Sequence, residues 1–293
     1  FEHMPVLLDE VLDLLAPASG GVYADVTLGA AGHGRAILER SGPGGRLIAS
    51  DRDPSALAAA RANLADFGDR VVLRKARMSE LGEVLSTLGI SQIDGVVADL
   101  GVSSAQLDWA ERGFSIANEG PIDMRMDPSE GQSALELIGA CDAEELANII
   151  YRFGEEGRSR KIARSLRRAY EAGELETTSD LRRAIHHATG PRRGRIDPAT
   201  KTFQALRIAV NAELAELEAL LEQVPEILRL GGVVVVISFH SLEDRIVKHA
   251  FRDSERLVAL TKRPIIASEK ERENNPRSRS AKLRAARRVE VVA

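Results

Sequence analysis

Residues 22–34 read VYADVTLGAAGHG, a short apolar run that turns through small residues and leads into the helix-forming segment 35–40. This order predicts a strand, a glycine-rich loop and a helix. Such a loop lets backbone N–H groups approach a ligand closely, and the N-terminus of the helix favours negative charge. Because small-residue turns after strands are common, the function of the loop depends on the segments that follow it.

The segments on either side of this loop predict a doubly wound α/β sheet. Further strands are expected at 46–50, 70–75, 93–100 and 233–238, and helices at 8–15, 55–67, 203–221 and 241–251. Strands that alternate with helices imply right-handed crossovers and a parallel sheet. The apolar run Val233–Ile237 suits a central strand buried on both faces. Residues 258–260 and 289–292 are expected to form a terminal antiparallel pair.

The alternation of strands and helices stops between residues 109 and 202. Helical patterns are found at 143–153, 159–170 and 180–188, separated by glycines, and no strand is predicted there. We therefore expect an all-helical domain, 109–202, inserted into a discontinuous α/β domain made of 1–108 and 203–293.

The composition indicates the broad class to which this protein belongs. With 44% hydrophobic and 29% charged residues, the 293-residue chain is typical of soluble globular proteins. No apolar run approaches the roughly 20 residues that span a membrane, so no membrane partner is expected. Cys141 is the only cysteine, which excludes an internal disulfide and favours a reducing compartment. The predicted location is the cytoplasm.

The formal net charge of −4 is unevenly distributed. Residues 152–201 carry 13 basic and 7 acidic side chains, and residues 270–293 carry 8 and 3. The rest of the chain is correspondingly acidic. Single basic runs are usually solvated helix faces, but two such runs on an acidic protein favour a surface that meets a polyanion.

An acidic residue at the end of the second strand points to an adenosine-containing cofactor. Asp51 lies 19 residues after Gly32, where a carboxylate can accept both hydroxyls of a ribose. This pattern alone leaves a dinucleotide and S-adenosylmethionine open. The loop fits Gly-x-Gly-x-x-Gly poorly. Strand four ends in Asp99 before a flexible segment, and a glycine turn at 231–232 precedes a late apolar strand; these features favour S-adenosylmethionine.

At this point the chain resembles the RsmH (MraW) family of S-adenosylmethionine-dependent ribosomal RNA methyltransferases, and the resemblance covers nearly the whole chain. The segments that carry it are HMPVLLDE (3–10), the loop 29–34, DRDP (51–54), DLGVSSAQLD (99–108), ERGFS (111–115), PIDMRMDP (121–128), TFQALRI (202–208), ISFHSLEDR (237–245) and NPRSRS (275–280). In this order they are highly specific.

The resemblance implies a Rossmann-like class I methyltransferase that modifies the exocyclic N4 of a cytidine in the decoding region of 16S rRNA. It implies that the cofactor's amino-acid end is wrapped by Ala31, Gly32 and His33, and its ribose is bound by Asp51. It further implies an adenine contact at Met78 and cofactor contacts at Asp99 and Gln106. Family members usually have glycine where Ala31 stands, and a methyl group is tolerated at this position only if the local φ is negative. The sulfonium already activates the methyl group, so no metal is required.

Other residues are expected to face the substrate. Asp99 is the candidate catalytic residue, since its carboxylate or a neighbouring carbonyl can orient the target amine. The candidates for RNA contact are His240, Trp109, Phe114, Arg192 and Arg193, with Arg158, Arg160, Lys161, Arg164, Arg195, Arg277 and Arg279 as further phosphate contacts. Three alternatives stay open: His33 packs near its helix, His240 is held by a local hydrogen bond, and Trp109 packs at the domain junction.

The expected partner is small-subunit ribosomal RNA, either free or in the assembled small subunit, and a homodimer is one possible oligomeric state. Two other functions remain open at this point. A nicotinamide-dependent oxidoreductase would need a hydride-transfer constellation that the sequence does not offer. A non-catalytic rRNA-binding assembly protein would not need the loop together with Asp51 and Asp99.

Overall fold

The computed structural model describes residues 4–190 and 197–291. The chain divides into two units, one of residues 1–101 with 214–293 and one of residues 102–213. We call them the sheet unit and the helical unit. The boundaries expected from the sequence, 109 and 202, both lie inside the helical unit.

Seven strands form one mixed sheet in the sheet unit. They are β1 (Val22–Asp25), β2 (Arg46–Asp51), β3 (Val71–Lys75), β4 (Ile93–Asp99), β5 (Leu228–Ser238), β6 (Leu257–Ala259) and β7 (Lys282–Arg288). Their order is β3-β2-β1-β4-β5-β7-β6. The first five are parallel, whereas β7 runs antiparallel to β5 and β6 antiparallel to β7. The doubly wound α/β class predicted from the sequence is confirmed.

The sheet is buried on both faces. Along β5, Val233, Val235 and Ile237 belong to one apolar core, and Val234 and Val236 belong to the other. Successive side chains of a strand point to opposite faces, which is why the continuous apolar run is needed here. The prediction of a central strand buried on both faces is confirmed.

Helices cover the sheet and make up the helical unit. In chain order they are α1 (Leu8–Leu15), α2 (Gly32–Arg40), α3 (Pro54–Asn63), α4 (Leu81–Thr87), α5 (Ser104–Asp108), α6 (Ala134–Ala140), α7 (Ala143–Gly154), α8 (Ser159–Glu171), α9 (Thr178–Thr189), α10 (Thr200–Asn211), α11 (Glu213–Ile227), α12 (Ser241–Asp253) and α13 (Glu269–Asn274). Within residues 4–190 and 197–291, no helix combines the length and apolar character needed to cross a bilayer.

Two expectations about these elements are wrong. The single helix expected at 203–221 is two helices, because Ala212 takes a left-handed conformation (φ 52°) between α10 and α11. The apolar spacing continues through this break, so periodicity could not reveal it. The partner of β6 is β7, not residues 289–292. The strand β7 (KLRAARR) has four basic residues and only one large apolar residue, Leu283, and therefore lacks the apolar signal of a core strand.

The helical unit has its own core, and three of its helices begin at strong capping residues. Ser133, Asp142 and Thr177 each accept a hydrogen bond from the backbone of the helix they precede and form a capping box with an acidic residue three positions later. Across residues 102–190 and 197–213, the described part of this unit, no strand is present.

Candidate active site

Three acidic side chains lie at the carboxyl edge of the sheet. Asp25 ends β1, Asp51 ends β2 and Asp99 ends β4. These strands are parallel neighbours, with β1 between the other two. Ligands of open α/β sheets bind at this edge, where the strand order reverses. The sequence pointed to Asp51 and Asp99 but not to Asp25, although Asp25 ends the first predicted strand in the same way.

Hydrogen bonds tie the loop after β1 to all three carboxylate-bearing residues. The Thr27 N–H donates to Asp25 Oδ1 (3.2 Å), and Thr27 Oγ1 accepts the backbone N–H of Asp99 (2.6 Å). The Gly29 N–H donates to Asp51 Oδ2 (2.9 Å). The loop and the strand ends therefore hold one another in place.

Ala31 takes a conformation that usually requires glycine. Its φ is 68° and its ψ is 27°, so Ala31 does not meet the condition of a negative φ that is expected for a methyl group here. The left-handed conformation costs an L-residue about 1–2 kcal/mol. The Ala31 methyl group is buried in the core of the sheet unit, which offsets about 0.8 kcal/mol of this cost. The loop thus keeps the backbone path of a glycine at a position occupied by alanine.

We expect Ala31→Gly to raise the free energy of unfolding of the sheet unit by about 0.5–1 kcal/mol, because relief of the positive φ outweighs the lost methyl burial. Urea denaturation followed by circular dichroism measures this change. Ala36→Gly is the matched control, since Ala36 lies in the interior of α2, where glycine lowers stability by about 1 kcal/mol. A lower stability for both variants would contradict the inferred strain at Ala31.

The N-terminal segment of the chain packs against the loop. A Cβ added to Gly32 would lie 2.5 Å from Pro5 Cγ, so only glycine allows this approach. The segment is held from the other end of the chain, since the Asn275 side-chain amide donates to the Met4 carbonyl (3.0 Å). The contact between Asn275 and Met4 joins residues that are 271 positions apart, and no local sequence signal predicts it.

The imidazole of His33 points at protein groups. It is buried, with 6% of the residue exposed. Its Nε2 lies 2.9 Å from the Val6 carbonyl oxygen and its Nδ1 lies 3.7 Å from Asp99 Oδ2. The sequence left two roles open for His33, cofactor contact or packing near its helix. The side chain lies between the N-terminal segment and the strand-end carboxylate of Asp99.

The environment of these carboxyl groups opposes their ionisation. Burial raises the pKa of Asp25 to about 7, assisted by the charge of Asp51 and opposed by the hydrogen bond from Thr27. Burial and the charges of Asp25 and Glu243 raise the pKa of Asp99 well above its usual range. Within the described residues, Asp99 Oδ1 is buried without a hydrogen-bond partner. A cationic or hydrogen-bond-donating ligand would lower the raised pKa values of these carboxyl groups and would give Asp99 Oδ1 a partner.

Asp51 is also held by its own loop. Burial raises the pKa of Asp51 to about 6, against the lowering effect of backbone hydrogen bonds from Asp53 and Gly29. The Asp53 N–H donates to Asp51 Oδ1 at 2.9 Å. Each carboxylate oxygen still has a lone pair for a further donor.

Met78 follows β3 in a short 3₁₀ turn, is half-buried and packs against the second core of the sheet unit.

His240 caps a helix. It precedes α12, its Nδ1 accepts the N–H of Glu243 (3.4 Å), and its Nε2 lies 3.1 Å from Glu243 Oε1 without the alignment of a hydrogen bond. These contacts match the local-hydrogen-bond alternative for His240. They also keep Glu243 beside Asp99, whose pKa it raises.

Gln106, Trp109 and Phe114 lie in the helical unit. Gln106 is buried, and its Oε1 accepts the Ser103 N–H (2.9 Å) in a capping box at the start of α5. Trp109 is 46% exposed. Phe114 is 7% exposed and packs in the core of the unit, so its ring offers little surface to a base. The arginines that lie outside the described residues are Arg192, Arg193 and Arg195.

Comparisons with known proteins give the family of this chain. Residues 1–289 match the family model of the MraW methylase family. The Ribosomal RNA small subunit methyltransferase H of Sorangium cellulosum (strain So ce56) is 59% identical over 289 residues, which cover 98% of this chain and 91% of that protein. Proteins of the same name from Synechococcus sp. (strain CC9902) and Acidobacterium capsulatum are 51% and 48% identical, and the matches cover 99% and 97% of this chain and 98% and 97% of theirs.

Nothing in these comparisons favours a nicotinamide-dependent oxidoreductase or a non-catalytic assembly protein. The family model covers nearly the full length, and the relatives match over both units with high identity. The resemblance found in the sequence is confirmed: the chain belongs to the MraW methylase family.

Proposed function

We propose that this protein transfers a methyl group from S-adenosylmethionine to the exocyclic N4 of a cytidine in the decoding region of 16S rRNA. The observation that carries this proposal is the 59% identity, over 98% of the chain, to a protein named Ribosomal RNA small subunit methyltransferase H. The reaction takes place in the cytoplasm, on small-subunit RNA or on the assembled subunit.

The residues at the sheet edge fit the cofactor. When bound, S-adenosylmethionine supplies an electrophilic methyl group on a positively charged sulfur. The buried, unpartnered Asp99 Oδ1 and the neighbouring Asp25 favour such a cation, since its charge compensates theirs. Asp51 accepts hydrogen bonds from the ribose hydroxyls. The backbone at Ala31, Gly32 and His33 wraps the amino-acid end.

Two further contacts complete the proposed cofactor site. Met78 lies three residues after the end of β3, the strand next to β2, and is half-buried, which suits a contact with the adenine ring. Gln106 is assigned to the cofactor by the family motif that contains it. Its capping box fixes the start of α5 immediately after the segment that follows Asp99.

Catalysis in this proposal depends on positioning the amine. The N4 lone pair of cytosine is delocalised into the ring, so the amine is a weak nucleophile. Asp99 accepts a hydrogen bond from an amino proton and holds the nitrogen in line with the methyl carbon. Orientation of this kind contributes several kcal/mol to lowering the barrier. Trp109 is exposed and offers a stacking surface for a base, whereas the burial of Phe114 gives that ring a structural role.

RNA affinity is assigned to a row of basic side chains on α8. Arg160, Arg164 and Arg168 are exposed and follow at intervals of four residues, so they line one face of the helix over about 12 Å. Lys161 is exposed beside them. Across residues 4–190 and 197–291, none of the four forms an ion pair. By contrast, Arg158 is paired with Glu156 (3.1 Å), so its charge is less available to a phosphate.

We expect the triple variant R160Q/R164Q/R168Q to bind decoding-region RNA about tenfold to a hundredfold more weakly at moderate salt. Each lost phosphate contact also lowers the slope of log affinity against log salt by about 0.7, so the slope falls by about 2. Fluorescence anisotropy over a series of salt concentrations measures both quantities. The matched control R160K/R164K/R168K keeps the charge and should keep the slope. Equal slopes for the Gln variant and the wild type would exclude this row from the interface.

The direct test of the function uses labelled S-adenosylmethionine with free 16S rRNA, immature small subunits and assembled small subunits, followed by mapping of the modified nucleotide. Label in N4-methylcytidine of the decoding region supports the proposal, and the particle that accepts label identifies the substrate form. No label in RNA from any of them would overturn the proposal. Sedimentation equilibrium of the same preparation tests the homodimer.

A further inference from the structure

Two segments that carry the family resemblance have no task in the proposed reaction, and the structure brings them together. Met4 and Pro5 belong to the first of them, and Asn275 begins the other. The Asn275 side-chain amide donates to the Met4 carbonyl oxygen at 3.0 Å, and only 8% of Asn275 is exposed. Pro5 lies against Gly32, where an added Cβ would come within 2.5 Å of Pro5 Cγ. The second segment therefore reaches the cofactor loop through the first.

A second hydrogen bond holds the N-terminal segment, residues 4–7, at its other end. Glu271 Oε1 accepts the backbone N–H of Leu7 at 2.8 Å. Leu7 is fully buried and takes a left-handed conformation (φ 53°, ψ 39°), which a leucine rarely adopts. Such a conformation persists where the surrounding contacts impose it. The hydrogen bond from Leu7 to Glu271 is one of the contacts that impose the turn by which residues 4–6 reach the loop.

The tail that carries both partners, residues 265–281, is fixed to the sheet. Ile265 and Leu283 exchange backbone hydrogen bonds of 2.9 and 2.8 Å, which tie the start of the tail to β7. Ala267 and Ala281 are buried in the first core of the sheet unit, so the tail is anchored near both of its ends. The two side chains that hold the N-terminal segment therefore extend from a firm support.

The contact between Pro5 and Gly32 lies between two residues in unfavourable conformations. Leu7 follows Pro5 by two positions, and Ala31, with its φ of 68°, directly precedes Gly32. Both take the left-handed conformation against the preference of their side chains. A closed arrangement with this internal cost is the populated one only if contacts from outside stabilise it. The hydrogen bonds from the tail are such contacts.

We propose that Asn275 and Glu271 are positioning residues for the cofactor: they hold residues 4–7 against Gly32 and thereby keep the loop 29–34 in the conformation that binds S-adenosylmethionine. The inference rests on the proposed function, which assigns this loop to the cofactor. When the N-terminal segment is released, only a fraction of the molecules has the loop in the binding conformation. The apparent affinity for the cofactor then falls in proportion to that fraction.

Calorimetry with S-adenosylhomocysteine tests this inference. We expect Asn275→Ala to bind it about fivefold and Glu271→Ala about tenfold more weakly, because the second variant also leaves the buried Leu7 N–H without its acceptor. Glu271→Gln keeps an acceptor oxygen and should bind like the wild type. Asn274→Ala and Glu273→Ala are the matched controls, since both residues are exposed neighbours in α13. Their affinities should equal that of the wild type.

A double-mutant cycle distinguishes positioning from a general loss of stability. Pro5→Ala removes the ring that lies against Gly32. If Asn275 acts through this ring, Asn275→Ala should weaken binding by at most about twofold in the Pro5→Ala background, against about fivefold in the wild-type background. A residue that only stabilises the fold would change the affinity by the same factor in both backgrounds.

Three results would contradict these expectations. Wild-type affinity in both Asn275→Ala and Glu271→Ala, or an equal loss in the two backgrounds of the cycle, would overturn the inference. If the variants do not fold, hydrogen exchange of the wild-type protein decides instead. Because coupling is reciprocal, S-adenosylhomocysteine should slow exchange of the Leu7 amide, and an unchanged rate contradicts the inference. Wild-type protein that binds no S-adenosylhomocysteine would overturn the proposed function, which is a separate result.

Discussion

Asp99→Asn is expected to slow methyl transfer at saturating cofactor by about 10²–10⁴-fold, the range of a positioned acid or base. The substitution preserves the shape of the side chain but removes the charge that compensates the cationic donor and one of the two acceptor oxygens. Burial and the neighbouring Asp25 and Glu243 oppose ionisation of Asp99, so a neutral amide at this position should not weaken the fold. Single-turnover assays with labelled cofactor on small subunits measure the rate, and calorimetry with S-adenosylhomocysteine measures binding.

Asp94→Asn is the control for this prediction. Asp94 lies on the same strand as Asp99 but near its opposite end, where it accepts the N–H of Val22 and pairs with Arg229. Its replacement should leave the rate of methyl transfer within about threefold. Should Asp99→Asn bind the cofactor weakly yet react at the wild-type rate once saturated, Asp99 would be a cofactor ligand and not the group that orients the amine.

The position of Asp99 illustrates what the sequence could predict. Parallel strands bring their carboxyl ends to one edge, so an acidic residue at the end of each apolar run is enough to place Asp51 and Asp99 near one another. The buried β5 could be predicted for a similar reason, because an uninterrupted run of β-branched residues suits only a strand covered on both faces. These inferences depend on local residues and general rules of sheet topology.

Other features depend on contacts between distant segments and could not be predicted in this way. The ring of His33 is oriented by the carbonyl of Val6, whose segment is fixed in turn by Glu271 through the Leu7 N–H (2.8 Å). A sequence pattern does not predict contacts such as these, between segments far apart along the chain. Ala31 is a different case, since its left-handed φ is imposed by the loop against the preference of the residue. The intrinsic preference of alanine predicts a negative φ at this position, which the structure does not show.

The acidic character of the site and the basic character of α8 suit two different ligands. The carboxyl groups Asp25, Asp51 and Asp99 favour a small cation at the sheet edge. The exposed row that begins at Arg160 favours a polyanion. A chain with a formal charge of −4 can therefore bind RNA, because affinity for phosphates depends on the local charge of one face.

Asp51→Ala should weaken binding of S-adenosylhomocysteine by about a hundredfold, as measured by calorimetry. The carboxylate accepts the backbone N–H groups of Gly29 and Asp53, and leaving a buried donor without its acceptor costs about 1–3 kcal/mol. The loop would loosen and the ribose hydroxyls would lose their acceptor. Asp53→Ala is the control. The Asp53 side chain caps α3 by accepting a hydrogen bond from the Ser55 N–H, so its loss should lower the free energy of unfolding by about 1 kcal/mol with little change in cofactor affinity.

Asp51 is assigned two tasks, anchoring the loop and accepting the ribose hydroxyls. The pH dependence of cofactor binding separates them. Burial raises its pKa to about 6 in the free protein. Hydroxyl groups donate to the ionised carboxylate, so binding favours that form, and affinity should rise with pH up to about 6 and then level off, by at most tenfold per pH unit. Asp51→Asn keeps one acceptor oxygen for the backbone N–H groups of Gly29 and Asp53 but cannot ionise, and this part of the pH dependence should vanish. If the Asn variant follows the wild-type curve between pH 5 and 7, the carboxylate anchors the loop alone and the ribose is held by other groups.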